Sequence, residues 1–503
     1  MRKTFFLFLV LCSSVIVFSQ NGGERPEKKN KEKPSITLYK IISAKRDTTF
    51  LDTSLTIKRY YKFNYLRKDN FELQQFSNVG QPYNDLSYDF DNINLKPLFL
   101  AQSHHFGYRE IEDMDYYNLP TPLTELYFKT AFKQGQQLDA FFSINTSKQF
   151  NFSIAYKGVR SLGAYQHSLT STGDFRFTTN YHTKNNRYNI LAHVMALDLI
   201  NQQNGGLTDE SILLFESNNS EFRDRGRLEV NFQDAENELK GFRVYGKQEF
   251  ELITKKDSTD QNKLFIGNVM SFEDKSYVFK QDVPFDDYGE SYKTSDLYKK
   301  GKLEDFNIQG YTRFENNHIG SLSAFIGYTD YNYGYNSVII FDDGRIANRL
   351  KGNLVQAGAS YKKTYKGFEL FGKGAINISG DYDGNYLKAG ASYLIKNAHK
   401  ISAEIKTHTT APNFVFLLNQ SDYLNYNWQN NFDNVKTQQL KVDFESNKIA
   451  NLSLNYTGID KYMYFTIKEN DSTPTPQQYG ERVDYIKVKL QKELKFKKFG
   501  LDN

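Results

Sequence analysis

The sequence predicts an all-β chain, a transmembrane antiparallel up-and-down β-barrel of roughly 14–18 strands. Three observations point to it. Apolar and polar residues alternate with a two-residue period in segments of about ten residues. Aromatic residues make up 16% of the chain although its mean hydropathy is -0.64. Short polar connections alternate with long ones, as in barrels with tight turns at one end and loops at the other.

The alternation is clearest where Phe150, Phe152, Ile154 and Tyr156 interleave with Asn151, Ser153, Ala155 and Lys157, and where Leu452, Leu454 and Tyr456 interleave with Ser453 and Asn455. Successive strand side chains face opposite ways, so each segment has one apolar and one polar face. A bilayer has no water for unpaired backbone groups and admits only helices or closed barrels. Phe150, Phe152, Ile154, Tyr156, Leu452 and Leu454 are therefore expected to face lipid. Arg176, Asn180, Arg243, Lys247, Gln309, Arg313, Glu404, Lys406, Asp443 and Asn455, on polar faces, are expected to line a pore. A wet lumen lowers hydropathy, while aromatic girdles at two interfaces use many of the 36 Tyr and 41 Phe.

Along the chain, Arg2 and Lys3 precede an apolar stretch ending near Phe18, which reads as a secretory signal peptide over residues 1–19. It is too short to span a bilayer, which takes about 20 apolar residues. Residues 20–34 are polar and charged and read as a disordered leader. Residues 35–120 are expected to be periplasmic, to form the first strands, or to fold into the lumen as a plug. Residues 121–503 are expected to form the outer-membrane barrel. Connections at 145–149, 183–187, 316–320 and 445–448 are short, whereas 158–174 and 197–224 are long. An internal echo supports this reading: GNLVQAGASY at 352–361 returns as GNYLKAGASY at 384–393, spaced for two strands and their connections. The chain ends on Phe499-Gly500-Leu501-Asp502-Asn503 without the terminal aromatic residue common in such barrels, so it is expected to be incomplete at its C-terminus.

The only cysteine, Cys12, lies in the signal, leaving an expected mature chain without disulfides or thiolate chemistry. A net charge of +5, spread among nearly as many carboxylates, does not concentrate into a nucleic-acid patch. No catalytic or metal-binding residues and no cofactor are expected. His104 and His105 beside Glu110, Glu112, Asp113 and Asp115 lack a helical ligand spacing; on a strand the two histidines would point apart. Asp381-Tyr382-Asp383-Gly384 reads as a tight turn rather than a calcium loop. Gly372-Lys373-Gly374 reads as small residues within a strand, and no nucleophile elbow surrounds Ser360 or Ser392.

The stretches 61–73 (YKFNYLRKDNFEL), 120–130 (PTPLTELYFKT) and 149–158 (QFNFSIAYKG) resemble the β-barrel porin family of Bacteroidota, outer-membrane porin-like proteins. The resemblance extends from about Thr48 to the end. It implies a barrel in the outer membrane of a Gram-negative bacterium, exported through a cleaved signal peptide, and brings no known substrate. The expected function is a porin-like channel for passive diffusion of small hydrophilic solutes. The alternative is a plugged barrel acting as an energised transporter or as a partner of a surface or secretion machine. Expected partners are outer-membrane lipid, small hydrophilic solutes, the barrel-assembly machinery and a second copy of the chain in a homo-oligomer, with no nucleic acid.

Overall fold

Strict alternation over many residues can only be satisfied by a sheet whose two faces meet different surroundings. The computed structural model has that sheet. It describes residues 34–502 apart from 55, 92, 132, 255–261, 342–343, 397, 468–472 and 498. The expected signal peptide, and all of the expected leader except Pro34, lie outside the described residues. Residues 37–503 form one compact unit.

Sixteen strands make the wall. They are β1 (Leu123–Ala131), β2 (Gly135–Asn145), β3 (Phe150–Ser161), β4 (Thr170–His182), β5 (Tyr188–Gln203), β6 (Ala235–Thr254), β7 (Lys263–Gln281) and β8 (Leu297–Asn316). Then follow β9 (Gly320–Gly334), β10 (Arg349–Tyr365), β11 (Phe368–Gly380), β12 (Asn385–Ile395), β13 (His399–Thr410), β14 (Val435–Ser446), β15 (Asn451–Asp460) and β16 (Val483–Gln491). Each pairs antiparallel with its neighbours in chain order, the up-and-down arrangement of a barrel. No ladder joins β1 to β16 among the described residues.

The register sets the faces. Phe142, Ile154, Phe177, Val194, Val244, Phe272 and Phe306 lie directly opposite one another across β2 to β8. Phe142, Ile154, Val244 and Phe272 are exposed. This row belongs to the apolar band that a membrane barrel turns to lipid. The repeat falls on β10 and β12, which run in the same direction with β11 between them. Its glycines seat rings: a Cβ on Gly358 would strike Phe325, and one on Gly390 would strike Phe371. In both copies the missing side chain makes room for a cross-strand aromatic ring.

Several connections differ from expectation. β3 and β4 run further than their composition suggests, leaving a loop of only 162–169 instead of 158–174. β5 continues to Gln203, so the next loop covers 204–234 and holds the helix Asp209–Glu216, capped by Thr208. β6 and β8 have 20 residues each, twice the expected length. Polar residues such as Asp198 and Lys240 interrupt the apolar face near one end and disguise these extensions as loop. The alternation of short and long connections holds for most of the wall, with 381–384 at the long-loop end as short as a turn. Turns at 146–149, 183–187, 317–319, 366–367, 396–398 and 447–450 share one end, and the loops 204–234, 282–296, 335–348 and 411–434 share the other.

Residues 37–120 pack on the inner face. The strands Lys40–Ser43, Thr48–Phe50 and Asp115–Asn118 form a small sheet, and the rest is loops and 3-10 turns. Three apolar clusters join this inner segment to the wall. Tyr65, Leu66 and Tyr83 meet Ala131 and Val159. Ala44 and Tyr116 meet Leu191. Phe99, Leu100 and Tyr108 meet Met195, Leu197, Leu199, Leu239, Leu303 and Tyr333. Part of the inner wall is thus apolar, where a uniformly polar lumen was expected, because it faces protein instead of water.

Candidate functional site

The inner segment is held by charges as well as by apolar contact. Buried ions need partners, since leaving water costs several kcal/mol per ion. Arg109 Nε reaches Asp174 Oδ2 at 2.6 Å, and Arg176 Nε lies 3.4 Å from the same oxygen. Arg67 and Arg176 flank Asp139 at 3.7 and 3.8 Å, and Arg67 also binds Glu125 on β1. Lys157 sits 4.0 Å from the centre of the Tyr65 ring, a cation–π contact.

A second cluster surrounds Arg243, which is 1% exposed. Its guanidinium meets Glu273 at 3.1 Å and Glu110 at 3.6 Å, and donates to the Arg109 carbonyl. Lys275 lies 3.3 Å from both carboxylates and 4.2 Å from the Tyr108 ring, while the Tyr108 hydroxyl donates to Glu273 at 2.7 Å. Burial works to raise the Glu110 carboxyl. The His105 ring 3.8 Å away and the charges of Lys275 and Arg243 outweigh it and hold the group at about 2.

Beyond these ions lies the apolar cluster. Gly241 and Gly301 make room for it: a Cβ on Gly241 would strike the Tyr108 ring, and one on Gly301 would strike Leu100. Phe414, in the helical turn Phe414–Leu417 of loop 411–434, stacks on Tyr333 at 4.5 Å and 11°. Its backbone N–H donates to the Leu98 carbonyl of the inner segment at 3.0 Å. The same loop docks on loop 282–296, which lies several strands away in the sheet. Tyr292 N–H donates to the Asp422 carbonyl and Leu424 N–H to that of Glu290, each at 2.8 Å. Tyr423 donates its hydroxyl to Gln281 at 2.6 Å and accepts from Phe285 N–H at 2.9 Å.

Opposite, contacts between segment and wall are mostly polar, with Phe90 edge-on to Tyr485 at 5.6 Å and Lys489 4.9 Å from the Phe71 ring. His408 Nε2 lies 2.8 Å from the Asn94 carbonyl, Asn377 donates to Leu95 at 2.7 Å, and Lys406 donates to Phe90. Glu72 binds Lys487 at 2.7 Å and Lys489 at 3.0 Å on β16. Partial burial works to raise the Glu72 carboxyl, but the hydrogen bonds from Lys487 and Lys489 prevail and hold it at about 2. Between them, Arg67, paired with Glu125 of β1, and Glu72, paired with Lys487 and Lys489 of β16, fasten one short stretch of the segment to both edge strands.

A family model described as "Putative porin" matches residues 35–503. The chain belongs to that porin family. No match was found among curated proteins. Solved structures similar to this porin include the ferric-catecholate import receptor Fiu from E. coli K12, at 11% identity and a TM-score of 0.49, covering 74% of this chain and 62% of that one. A mutant of the ferric enterobactin receptor PfeA from Pseudomonas aeruginosa is similar at 7% identity and a TM-score of 0.48, covering 74% and 59%. The siderophore receptor PirA from Acinetobacter baumannii is similar at 9% identity and 0.49, covering 76% and 61%. The porin thus spans about six-tenths of the length of these structures. The family places it among outer-membrane transport barrels.

The ten expected pore-lining residues all lie on the inner face, in three settings. Arg176 and Arg243 join the buried ion clusters, Asn180 donates to the Tyr117 carbonyl, Lys247 to that of Ala44 and Lys406 to that of Phe90, so these five touch or lie beside the inner segment. Arg313 binds Glu249 at 2.6 Å and Glu404 binds Lys388 at 2.6 Å, both within the wall. Asp443 lies 3.9 Å from Lys441, Asn455 accepts from Thr457, and Gln309 lies opposite Val269. The six residues expected to face lipid lie on the outer face, with Ile154, Tyr156 and Leu454 exposed.

His104 and His105 lie in the 3-10 turn Gln102–Gly107 rather than on a strand. His104 packs edge-on to Tyr277 at 5.4 Å, and burial pushes it down to about 4. Among the described residues no His, Cys, Asp and Glu group is arranged to hold a metal. The sequence reading singles out none of the inner partners Tyr108, Arg109, Asp174, Glu273 and Lys275, and meets Glu110 only as one of the acidic residues beside His104 and His105. Gly241 and Gly301, each within a strand, are the available signal, because a strand glycine marks close approach of another group.

Proposed function

We propose that this porin is an outer-membrane transport barrel closed at rest, whose interior is occupied by residues 37–120 and by the inward-folded residues 411–434. Small hydrophilic solutes cross when the inner segment shifts. The observation that carries this reading is the apolar cluster built jointly by segment, wall and loop, including Phe99, Leu100, Met195, Leu239, Tyr333 and Phe414. An open aqueous channel would wet these side chains at a cost of roughly 25 cal/mol per Å². The solute class is supported by the wall from β12 to β16, whose inner face carries Lys388, Glu404, Lys441, Asp443 and Asn455.

An energised partner is the second reading, because opening must break the Arg109–Asp174 and Arg243–Glu110 pairs together. The segment is also tied at the short-turn end, where Leu119 N–H donates to Asn145 and Arg46 to the Asn189 carbonyl. In a barrel of this kind that end is periplasmic, within reach of a pulling partner. Planar-bilayer conductance tests the closed state. The wild-type protein should leave the bilayer sealed, whereas Arg109→Ala/Arg243→Ala should conduct. Equal conductance in both would overturn the proposal.

A further inference from the structure

We propose a binding site for a small oxyanion, a carboxylate or phosphate, at the long-loop mouth between loops 282–296, 335–348 and 411–434. It rests on the transport reading above and names its solute class. A cavity of about 340 Å³ lies there, lined among others by Tyr292, Lys299, Lys300, Tyr335, Gln420 and Ser421. Its shape is fixed from behind. Tyr335 and Gln420 are buried, the Tyr335 hydroxyl donating to Asn419 at 3.1 Å and Gln420 Nε2 to the Ala347 carbonyl at 3.0 Å.

The charge of this lining is unbalanced. Its acidic residue, Asp422, is already engaged by Lys293 Nζ at 2.8 Å and by Tyr298 N–H at 2.7 Å. Lys299 donates to Asn419 Oδ1 at 2.7 Å and lies 5.9 Å from the Tyr335 ring. Lys299, on the inner face of β8, has no carboxylate within ion-pair distance among the described residues; Lys300, the next residue of the strand, points to the other face. Elsewhere on the inner wall Lys275, Lys388 and Lys487 each meet one within 3.3 Å. A partly buried ammonium without a counter-ion is costly, and an anion that accepts its remaining hydrogen bonds removes that cost.

A ligand here would touch residues 420–422, on the loop whose other residues bind the inner segment through Phe414. Trp428, the only tryptophan of the chain, lies on this loop and donates its indole N–H to the Val415 carbonyl at 2.8 Å. Its emission therefore reports on the loop.

The test titrates the full chain in detergent with succinate and, separately, with inorganic phosphate at constant ionic strength. Trp428 emission and heat of binding are read in parallel. Wild type should bind at least one of the two saturably, Lys299→Arg should retain that binding, and Lys299→Met should weaken it about tenfold, the loss of a charge-assisted contact. Succinate binding alone assigns a carboxylate, and phosphate binding alone a phosphate. Saturation by neither probe, an equal response to sodium chloride, or unchanged affinity in the Lys299→Met variant would overturn the site. Absence of binding beside a sealed wild-type bilayer would reject this site alone. Binding beside an open wild-type pore would reject the closed state alone.

Discussion

The two halves of the wall treat the interior differently. From β3 to β9 the inner side chains are buried against the segment, as Asp174, His193, Met195, Leu197, Leu239, Arg243 and Tyr333 illustrate. From β12 to β16 they are less buried and answer one another, as Lys388 does Glu404 and Lys441 does Asp443. The segment touches that side mainly through carbonyls, Glu72 and the Phe90 ring against Tyr485. One half anchors and the other only tethers, so the segment should release first along β12 to β16, and opening is complete once its ion pairs with β4 and β6 break.

The largest expected effect breaks the anchoring half. Arg243→Ala removes the more deeply buried of the two cations, leaving Glu110 and Glu273 with Lys275 alone, and should cost about 3 kcal/mol in denaturant unfolding from detergent. Lys388→Ala, on the tethering half, should cost less than about 1 kcal/mol. Equal losses would erase the distinction.

Next comes the outer face. Phe152→Arg should cost about 2–4 kcal/mol if it lies near the bilayer midplane, measured by refolding into liposomes. Asn151→Arg is a poor inward control, since Asn151 is buried and donates to Asn145 at 2.7 Å. Asn455→Arg, on the tethering half, should be nearly neutral for folding and should shift ion selectivity, read as a reversal potential.

Gly241→Leu drives a side chain into the Tyr108 ring and should cost about 1–3 kcal/mol of overpacking. It should also expose residues 95–110 to protease, whereas Gly246→Leu, where an added Cβ meets nothing within 4 Å, should not.

The smallest effect is pH. Glu110 and Glu72 both sit below their ordinary value of 4.5, at about 2. Their contribution to docking is complete above pH 4.5 and fades as pH falls toward 2. Protease resistance of the segment should therefore be flat from pH 8 to 5 and decline below 4.5. A decline on raising pH from 5 to 8 would contradict these ion pairs.

The wall was legible in the sequence because side-chain alternation follows directly from strand geometry. Phe150 to Lys157 sorts onto the two faces by residue type alone, and so does the repeat on β10 and β12. The long extensions of β5 and β6 were not, because Asp198 and Lys240 place charges on the outer face beyond the apolar band. The packing of residues 37–120 on the inner face was not legible, since the sequence leaves three options open for residues 35–120. Tyr108 with Gly241, and Arg109 with Asp174, are partners separated by 65 residues or more in the chain. Periodicity reports which face a residue occupies and carries nothing about which distant residue lies across from it. Arg176 and Arg243 look identical in sequence whether they meet water or a buried carboxylate.

The most direct measurement is an inter-segment cross-link. Leu100→Cys/Gly301→Cys joins the inner segment to β8 at a point of contact, and the sole native cysteine, Cys12, falls in the expected signal peptide. Oxidation of the membrane-inserted protein should convert nearly all of it to a form with shifted gel mobility, with the bilayer still sealed. A chain that stays reduced while the bilayer conducts would contradict a segment seated inside the barrel.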